Sequence, residues 1–404
     1  MIKKHFHIRE NIQPKHLKKN LSNKLNKDFD KILTSVQSDI KNITKTLNVL
    51  NKDFQFNFKI KNLKKFKRYN SIALIGMGGS ILGIEAIYNF LQDKIKKKIH
   101  FFDDLDEIKI SNFKKMNLSK ILFIITSKSG HTIETLSNTF ALNIIKKNAK
   151  NVILISEKYN SQLYLLSKKL NLFYVEHNKF IGGRYSVLSE VGIVPAYLMG
   201  LDIVKLRSNI LECLNKKNQR IMKFNSTKLA NLMSSRTFSS LVFLNYSPKL
   251  EKFLYWCQQL LAESLGKKYK GLLPVISNVP KDHHSLMQLY LDGPKDKIFN
   301  IFSLKNKFEE KIYINKKFGL KSFLHNKKIR EIKDAQKDAL IKSLKKKKIP
   351  FREIKVGEST ERVLGELFAF FIIETIIVGK LLRLNPFDQP AVEQVKIFTK
   401  QLLK

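Results

Sequence analysis

Residues 71–91 read SIALIGMGGSILGIEAIYNFL, and this stretch sets the fold class. Ser71–Ile75 is a short apolar run and Gly76-Met77-Gly78-Gly79-Ser80 is a glycine-rich turn. From Ser80 to Leu91 the apolar residues recur at helical spacing. A strand that feeds through a glycine turn into a helix opens a βαβ unit. The pattern repeats downstream. Strands are expected at Ile99–Phe102, Ile121–Thr126, Val152–Ser156 and Leu172–Val175, with helices at Thr132–Lys147 and Gln162–Leu170. After a Lys/Asn-rich connection near 215–224 it restarts, with strands at Ser239–Tyr246, Leu272–Ile276, Ile298–Leu304 and Phe351–Val356. The matching helices are Leu250–Ser264, His284–Leu291, Ile329–Lys346 and Glu361–Leu382. Alternating strands and helices specify parallel sheets covered on both faces. The expected fold is therefore α/β, with two α/β/α sandwich domains over 61–215 and 216–384. A helical N-terminal arm (1–60) carries apolar residues every three or four positions from Leu17 to Leu47, and a helical C-terminal tail covers 385–404. Residues 305–323 read as an insertion.

The chain has 404 residues and a formal net charge of +41. That charge points first to nucleic acid or an anionic membrane. Ten of the 75 basic residues are arginine, leaving 65 lysines. Base recognition and phosphate clamps favour the planar fork of Arg. Lys, Asn, Ile and Phe also share A/T-rich codons, so base composition accounts for the excess without a polyanion partner. At 43% hydrophobic residues, the composition excludes a disordered basic tail. Cys213 and Cys257 are far apart and read as small buried apolar residues, not a disulfide framework or metal motif. No secretory leader and no apolar run of membrane-spanning length is found. A reduced, cytoplasmic protein with neither membrane nor specific nucleic-acid partners is the expectation.

Two loops sit at strand ends, where open parallel sheets bind ligands. The first, with Gly79 and Ser80, matches neither GxGxxG nor a P-loop, but lets a ligand approach the backbone and helix N–H groups. The second, Ser127-Lys128-Ser129-Gly130-His131-Thr132, places three hydroxyls and a lysine at a helix start. Hydroxyls with helix N–H groups make a phosphate cradle, and the same residues also serve as helix caps. Arg184 follows a glycine pair that admits its guanidinium to a tight site; an arginine in a surface turn reads the same way. Gln259 and Glu263 are four apart and share a helix face. Burial of a carboxylate there suits a general base, whereas an exposed helix end gives it no such role. His283 and His284 precede an apolar helical run and offer an acid/base group or a helix cap. Only Asp282 adjoins them, too few ligands for a metal.

The ordered set GMGGSILG (76–83), SKSGHTIET (127–135), GGRYSVLSEVG (182–192), QQLLAESLGK (258–267), DHHSLMQL (282–289) and NPFDQPAVEQVK (385–396) resembles the phosphoglucose isomerase family in its shorter bacterial form. The resemblance spans most of residues 70–400. It implies two sugar-isomerase domains and reversible interconversion of glucose 6-phosphate and fructose 6-phosphate through an enediolate, in glycolysis and gluconeogenesis. It implies no metal or organic cofactor, and a homodimer with shared sites. By the resemblance, Glu263 is the base between C2 and C1 and Arg184 stabilises the enediolate. His284, from the partner subunit, and Lys396 open the ring. Ser127, Ser129 and Thr132 hold the phosphate, and Gly79, Ser80 and Gln259 contact substrate. Two alternatives stand beside this reading: an isomerase that also accepts mannose 6-phosphate, and a non-catalytic sugar-phosphate sensor.

Overall fold

The computed structural model describes residues 5–159, 161–305, 310–315, 317 and 322–403. Among the described residues, ten strands form two five-stranded sheets. In the first, β2 (Ser71–Ile75), β3 (Lys98–Phe102), β4 (Ile121–Thr126), β5 (Val152–Ser156) and β6 (Phe173–Glu176) lie in the order β3-β2-β4-β5-β6. All its pairings are parallel. In the second, β1 (Phe6–Asn11), β7 (Ser240–Asn245), β8 (Leu273–Asn278), β9 (Lys297–Leu304) and β10 (Phe351–Val356) lie in the order β1-β10-β9-β7-β8. Only β1 runs antiparallel, along β10.

The strand runs are apolar throughout because both faces are covered. β4 is buried at every position. Alternate residues serve different cores. Leu74, Leu122 and Ile124 turn toward the second domain and join Phe243, Ile298 and Phe302 in one shared cluster. Ala73, Ile75, Phe123 and Ile125 turn to the outer face of the first sheet, and Val242, Leu244, Phe299 and Ile301 to that of the second. The domains meet where helix Leu82–Leu91 packs along helix Glu251–Leu265. Ion pairs Lys252–Glu85 (2.8 Å), Lys249–Asp93 and Lys94–Glu361 cross this seam. Helix Glu361–Leu381 is buried almost along its length, and its Glu374 accepts from both terminal nitrogens of Arg352 on β10, at 2.6 and 3.3 Å.

Several expectations need correction. The N-terminal arm is not helical from its start: Phe6–Asn11 forms the edge strand β1, ahead of helix Lys19–Lys41. Its alternation is masked by His7, Arg9 and Glu10, the polar groups that suit an edge. The Lys/Asn-rich connection near 215–224 is the first half of helix Lys216–Ser234. Asn215 caps that helix by accepting from Asn218 N at 2.9 Å. Its polar outer face hid an inner row of Met222, Leu229 and Leu232. The helix expected to reach Lys147 ends at Ala141, just before Asn143 takes a left-handed conformation. The helix expected from His284 begins at Met287, because Lys281–His283 form a tight 3-10 turn. The 305–323 segment lies partly outside the described residues. No helix among the described residues is long and apolar enough to cross a membrane.

Candidate active site

In the order β3-β2-β4 the chain leaves β2 to one side and returns on the other. That topological switch point opens a crevice beyond the carboxyl ends of β2 and β4. Both glycine- and hydroxyl-rich loops leave from it. In the loop after β2, Gly78 adopts φ +51°, and a Cβ there would come within 2.9 Å of Gln259 Nε2. At Gly79 a Cβ would lie 2.2 Å from the Gly183 carbonyl carbon and 2.6 Å from Arg184 N. Glycine is required because two backbones touch. This contact joins the GGS turn to the GGR turn.

The loop after β4 curls around its own hydroxyls. Ser127 Oγ and Thr132 Oγ1 are 2.8 Å apart, and Ser127 Oγ accepts from Gly130 N at 3.1 Å. Ser129 Oγ accepts from His131 N at 3.2 Å. Thr132 is the residue before helix Ile133–Ala141 but makes no side-chain cap. Its hydroxyl faces Ser127 instead, which leaves the first N–H groups of the helix to an anion. Lys128 Nζ stands 3.5 Å from Glu157, so its charge is partly answered by the protein.

Helix Glu251–Leu265 carries Gln259 and Glu263 to the same crevice on one face. Gln259 Nε2 donates to Glu263 Oε1 at 2.9 Å, and Arg184 Nη1 donates to Glu263 Oε2 at 3.0 Å. Gln259 Oε1 is buried and has no hydrogen-bond partner among the described residues. A buried acceptor without a donor is costly and suits a ligand hydroxyl.

Arg184 is 2% exposed and spends all five donors. Nε donates to Ser264 Oγ at 2.8 Å; Nη2 donates to the Pro386 and Asp388 carbonyls at 2.6 and 3.1 Å. Nη1 donates to Glu263 and, through a short bond, to Gln389 Oε1. Two nitrogens are thus anchored in scaffold, while the partners of Nη1 are side chains open to solvent. Tyr185 OH bridges Ser264 Oγ (2.8 Å) and the Pro386 carbonyl (2.6 Å), and burial pushes its phenol pKa up. Ser264, Tyr185 and Gln389 were not singled out from the sequence. Gln389 stood inside the 385–396 motif, and Ser264 lies next to Glu263 on the buried side of its helix.

Of the expected site residues, the fold joins Gly79, Arg184, Gln259 and Glu263 directly, and the pairing of β2 with β4 starts the Ser127–Thr132 loop next to the glycine turn that begins at Gly76. It does not join His284 or Lys396 to them within one chain. Among the described residues, neither makes a hydrogen bond or ion pair with Glu263, Arg184 or Gln259. His284 is exposed at the end of the Lys281–His283 turn. That turn is held by Asp282, which accepts from Ser277 Oγ and Asn278 N, both at 2.9 Å. Tyr246 OH meets His283 Nε2 at 2.9 Å, and burial, then the neighbouring His284, lowers the His283 pKa. Lys396 is exposed on helix Val392–Leu402 and pairs with Glu393 at 2.7 Å. Among the described residues, no group of three or more His, Cys, Asp or Glu is placed to hold a metal ion.

The phosphoglucose isomerase family matches the chain over residues 25–404. A probable glucose-6-phosphate isomerase from Methanococcus maripaludis is 33% identical over 368 residues, covering 87% of this chain and 82% of that protein. The glucose-6-phosphate isomerase of Campylobacter jejuni is 31% identical over 386 residues, covering 89% and 90%. Among solved structures, a glucose-6-phosphate isomerase from Chlamydia trachomatis superposes with a TM-score of 0.80 at 17% identity, covering 99% and 88%. A hypothetical protein from Thermus thermophilus gives 0.83 at 23% identity, covering 98% and 100%. At such identities these structures speak for the fold.

Proposed function

Because the chain belongs to the phosphoglucose isomerase family, and its reaction is the reversible isomerisation of glucose 6-phosphate and fructose 6-phosphate, we propose that the Gln259–Glu263–Arg184 array carries the proton transfer. The supporting observation is the pair of bonds that fix both Glu263 oxygens while Gln259 Oε1 is left open. In the open-chain sugar, Glu263 takes the C2 proton and the C–H electron pair forms the C1–C2 double bond. The C1 carbonyl oxygen gains the negative charge of the enediolate. Glu263, now neutral, loosens its hold on Arg184 Nη1, which turns its donor to the enediolate oxygen. Charge passes from carboxylate to substrate while the guanidinium stays put, so little reorganisation is needed. The C2 hydroxyl proton then passes to O1, which moves the negative charge to O2; returning the proton to C1 from the same carboxyl, as the C2 carbonyl forms, gives the ketose. Glu263 needs no second base, because both transfers use one face of the sugar.

Ser127, Ser129 and Thr132, with the N–H groups opening helix Ile133–Ala141 and Lys128 nearby, are assigned to the phosphate. Gly79 and Ser80 are assigned to the sugar. The phosphate lies away from the reacting carbons, so its binding energy serves to fix the sugar for proton transfer. His284 and Lys396 are assigned to ring opening, and both stand on the surface of a single chain. Helix Val392–Leu402, which carries Lys396, exposes Val392, Val395, Phe398 and Leu402, which fall on one stripe. A second copy that covers this stripe and donates His284 completes the site, so we assign a homodimer. We place the enzyme in the cytoplasm, where its two unpaired, buried cysteines stay reduced.

Glu263→Gln tests the assignment. It is expected to bind sugar phosphate and to lose turnover in a coupled assay; near-parental activity refutes it. Mixing Glu263→Gln with His284→Ala subunits is expected to recover activity once subunits exchange. No recovery despite exchange counts against the shared site.

A further inference from the structure

The turn that follows Glu263 holds a second cation that the reaction does not use. Lys267 Nζ donates to the Asn385 carbonyl (2.6 Å), to Asp388 Oδ1 (2.6 Å) and to the Asp388 carbonyl. These three bonds spend every ammonium donor, so Lys267 has none for a substrate. Its side chain is 11% exposed. Lys270, one turn on, donates to the Leu382 carbonyl at 3.0 Å, at the C-terminus of helix Glu361–Leu381. Both lysines therefore grip the link that leaves that helix and carries Gln389 and helix Val392–Leu402.

The grip is held at a cost. Between the two lysines, Lys268 and Tyr269 sit at φ +51° and +57°, and Tyr269 is fully exposed. Left-handed backbone is strained at non-glycine residues, because Cβ crowds the following carbonyl oxygen. Nothing in the packing of an exposed tyrosine repays that strain. What the turn gains is the reach of Lys267 and Lys270 to one segment.

Asp388 connects this grip to the reaction. Its carbonyl accepts from both Lys267 and Arg184 Nη2. Residues 385–388 are closed on themselves by Asn385 Nδ2 donating to Asp388 Oδ2 at 2.9 Å and Phe387 N to Asn385 Oδ1 at 3.1 Å. The segment is thus one small rigid piece whose carbonyls two cations share: Lys267 takes those of Asn385 and Asp388, and Arg184 those of Pro386 and Asp388. Resting on the isomerase reading of Arg184, we propose that Lys267 is a positioning residue for that guanidinium. It fixes the 385–388 carbonyls against which Arg184 is braced, and so sets where Nη1 meets the developing enediolate. The effect falls on the transition state more than on substrate binding, because the phosphate loop lies elsewhere.

The test compares Lys267→Met and Lys267→Arg with the parent enzyme in steady-state kinetics, together with hydrogen exchange of the substrate-free protein. Lys267→Met removes the donors but keeps the stem. It is expected to lower kcat about 10-fold, about 1.4 kcal/mol of barrier, with KM within twofold. Amides of 385–391 are expected to exchange at least about 10-fold faster. Lys267→Arg keeps donors for the carbonyls and is expected to restore most of kcat and the slow exchange. The proposal is overturned by a Lys267→Met kcat within twofold of the parent, or by unchanged exchange at 385–391. It is equally overturned if both variants lose melting temperature and activity alike, since a merely structural lysine behaves so. Absence of turnover by the parent counts against the isomerase reading alone, because the exchange arm needs no substrate.

Discussion

Arg184→Lys separates the catalytic use of the guanidinium from its structural use. The substitution keeps the charge but ends the side chain near the Nε–Cζ position, with three donors radiating from a point in place of a five-donor fork. Five acceptors are affected, yet three keep a second donor and a fourth stays hydrogen-bonded. The Pro386 carbonyl keeps Tyr185 OH, the Asp388 carbonyl keeps Lys267, and Glu263 keeps Gln259, while Ser264 Oγ still donates to Tyr185 OH. The fifth, Gln389, is exposed and turns to water. No buried acceptor is stranded, so the heavy penalty for an orphaned polar group does not apply. The expected loss of stability in urea melts is therefore only about 1.5–3 kcal/mol, the net worth of one hydrogen bond to a charged group. Activity fares differently. The Nη1 position, held 3.0 Å from Glu263, is vacated, and loss of one placed donor to a developing oxyanion costs about 10²–10³ in kcat. A coupled assay on glucose 6-phosphate and a melt of the same preparation decide the matter. A kcat within threefold of the parent refutes the role given to Nη1. A stability loss above about 4 kcal/mol refutes the redundancy argued from Tyr185, Lys267 and Gln259.

Gly79→Ala is expected to cost about 1–3 kcal/mol through overpacking and to raise KM sharply, because the added Cβ meets backbone at 2.2 Å that cannot swing aside; unchanged KM in the same assay contradicts the contact. Glu366 is pushed up to about 7, first by burial and then by Glu212. A carboxyl raised in the folded state makes folding less favourable as pH climbs from the ordinary carboxylate range to about 7. Glu366→Gln should therefore gain more melting temperature at pH 8 than at pH 5, and equal gains at both pH values would remove the basis for this. Glu374→Ala leaves Arg352 buried without its partner and is expected to cost about 3–5 kcal/mol. The double replacement Arg352→Met, Glu374→Leu should be less damaging than the single one, and urea melts that reverse this order would refute it.

The parallel strands of both sheets were legible because each is a short run of buried apolar residues bounded by turn residues. Ile121–Thr126 and Phe351–Val356 fall where the sequence places them. Elements that face water on one side were harder. β1 shows Phe6 and Ile8 between polar neighbours, and only pairing with Phe351–Val356 makes it a strand. Helix Lys216–Ser234 begins with a run of Lys, Asn and Gln that looks like a linker until its inner face packs. At the site, Glu263 and Gln259 were readable from their four-residue spacing. Ser264, Gln389 and Lys267 were not, because their partners lie 80, 205 and 118 or more residues away in sequence.

The sequence by itself determined the α/β class, the two loops at the strand ends and the family, since these rest on local periodicity and ordered motifs. It also placed the +41 charge largely in lysine, whose strongly hydrated ammonium favours the surface. Tertiary structure decided what the few buried cations do. Arg184 spends five donors across two domains and the C-terminal link, and Lys267 spends three on the same link. A hydrogen bond requires atoms within about 3 Å, and only the folded chain brings residues 79, 184, 263 and 388 that close.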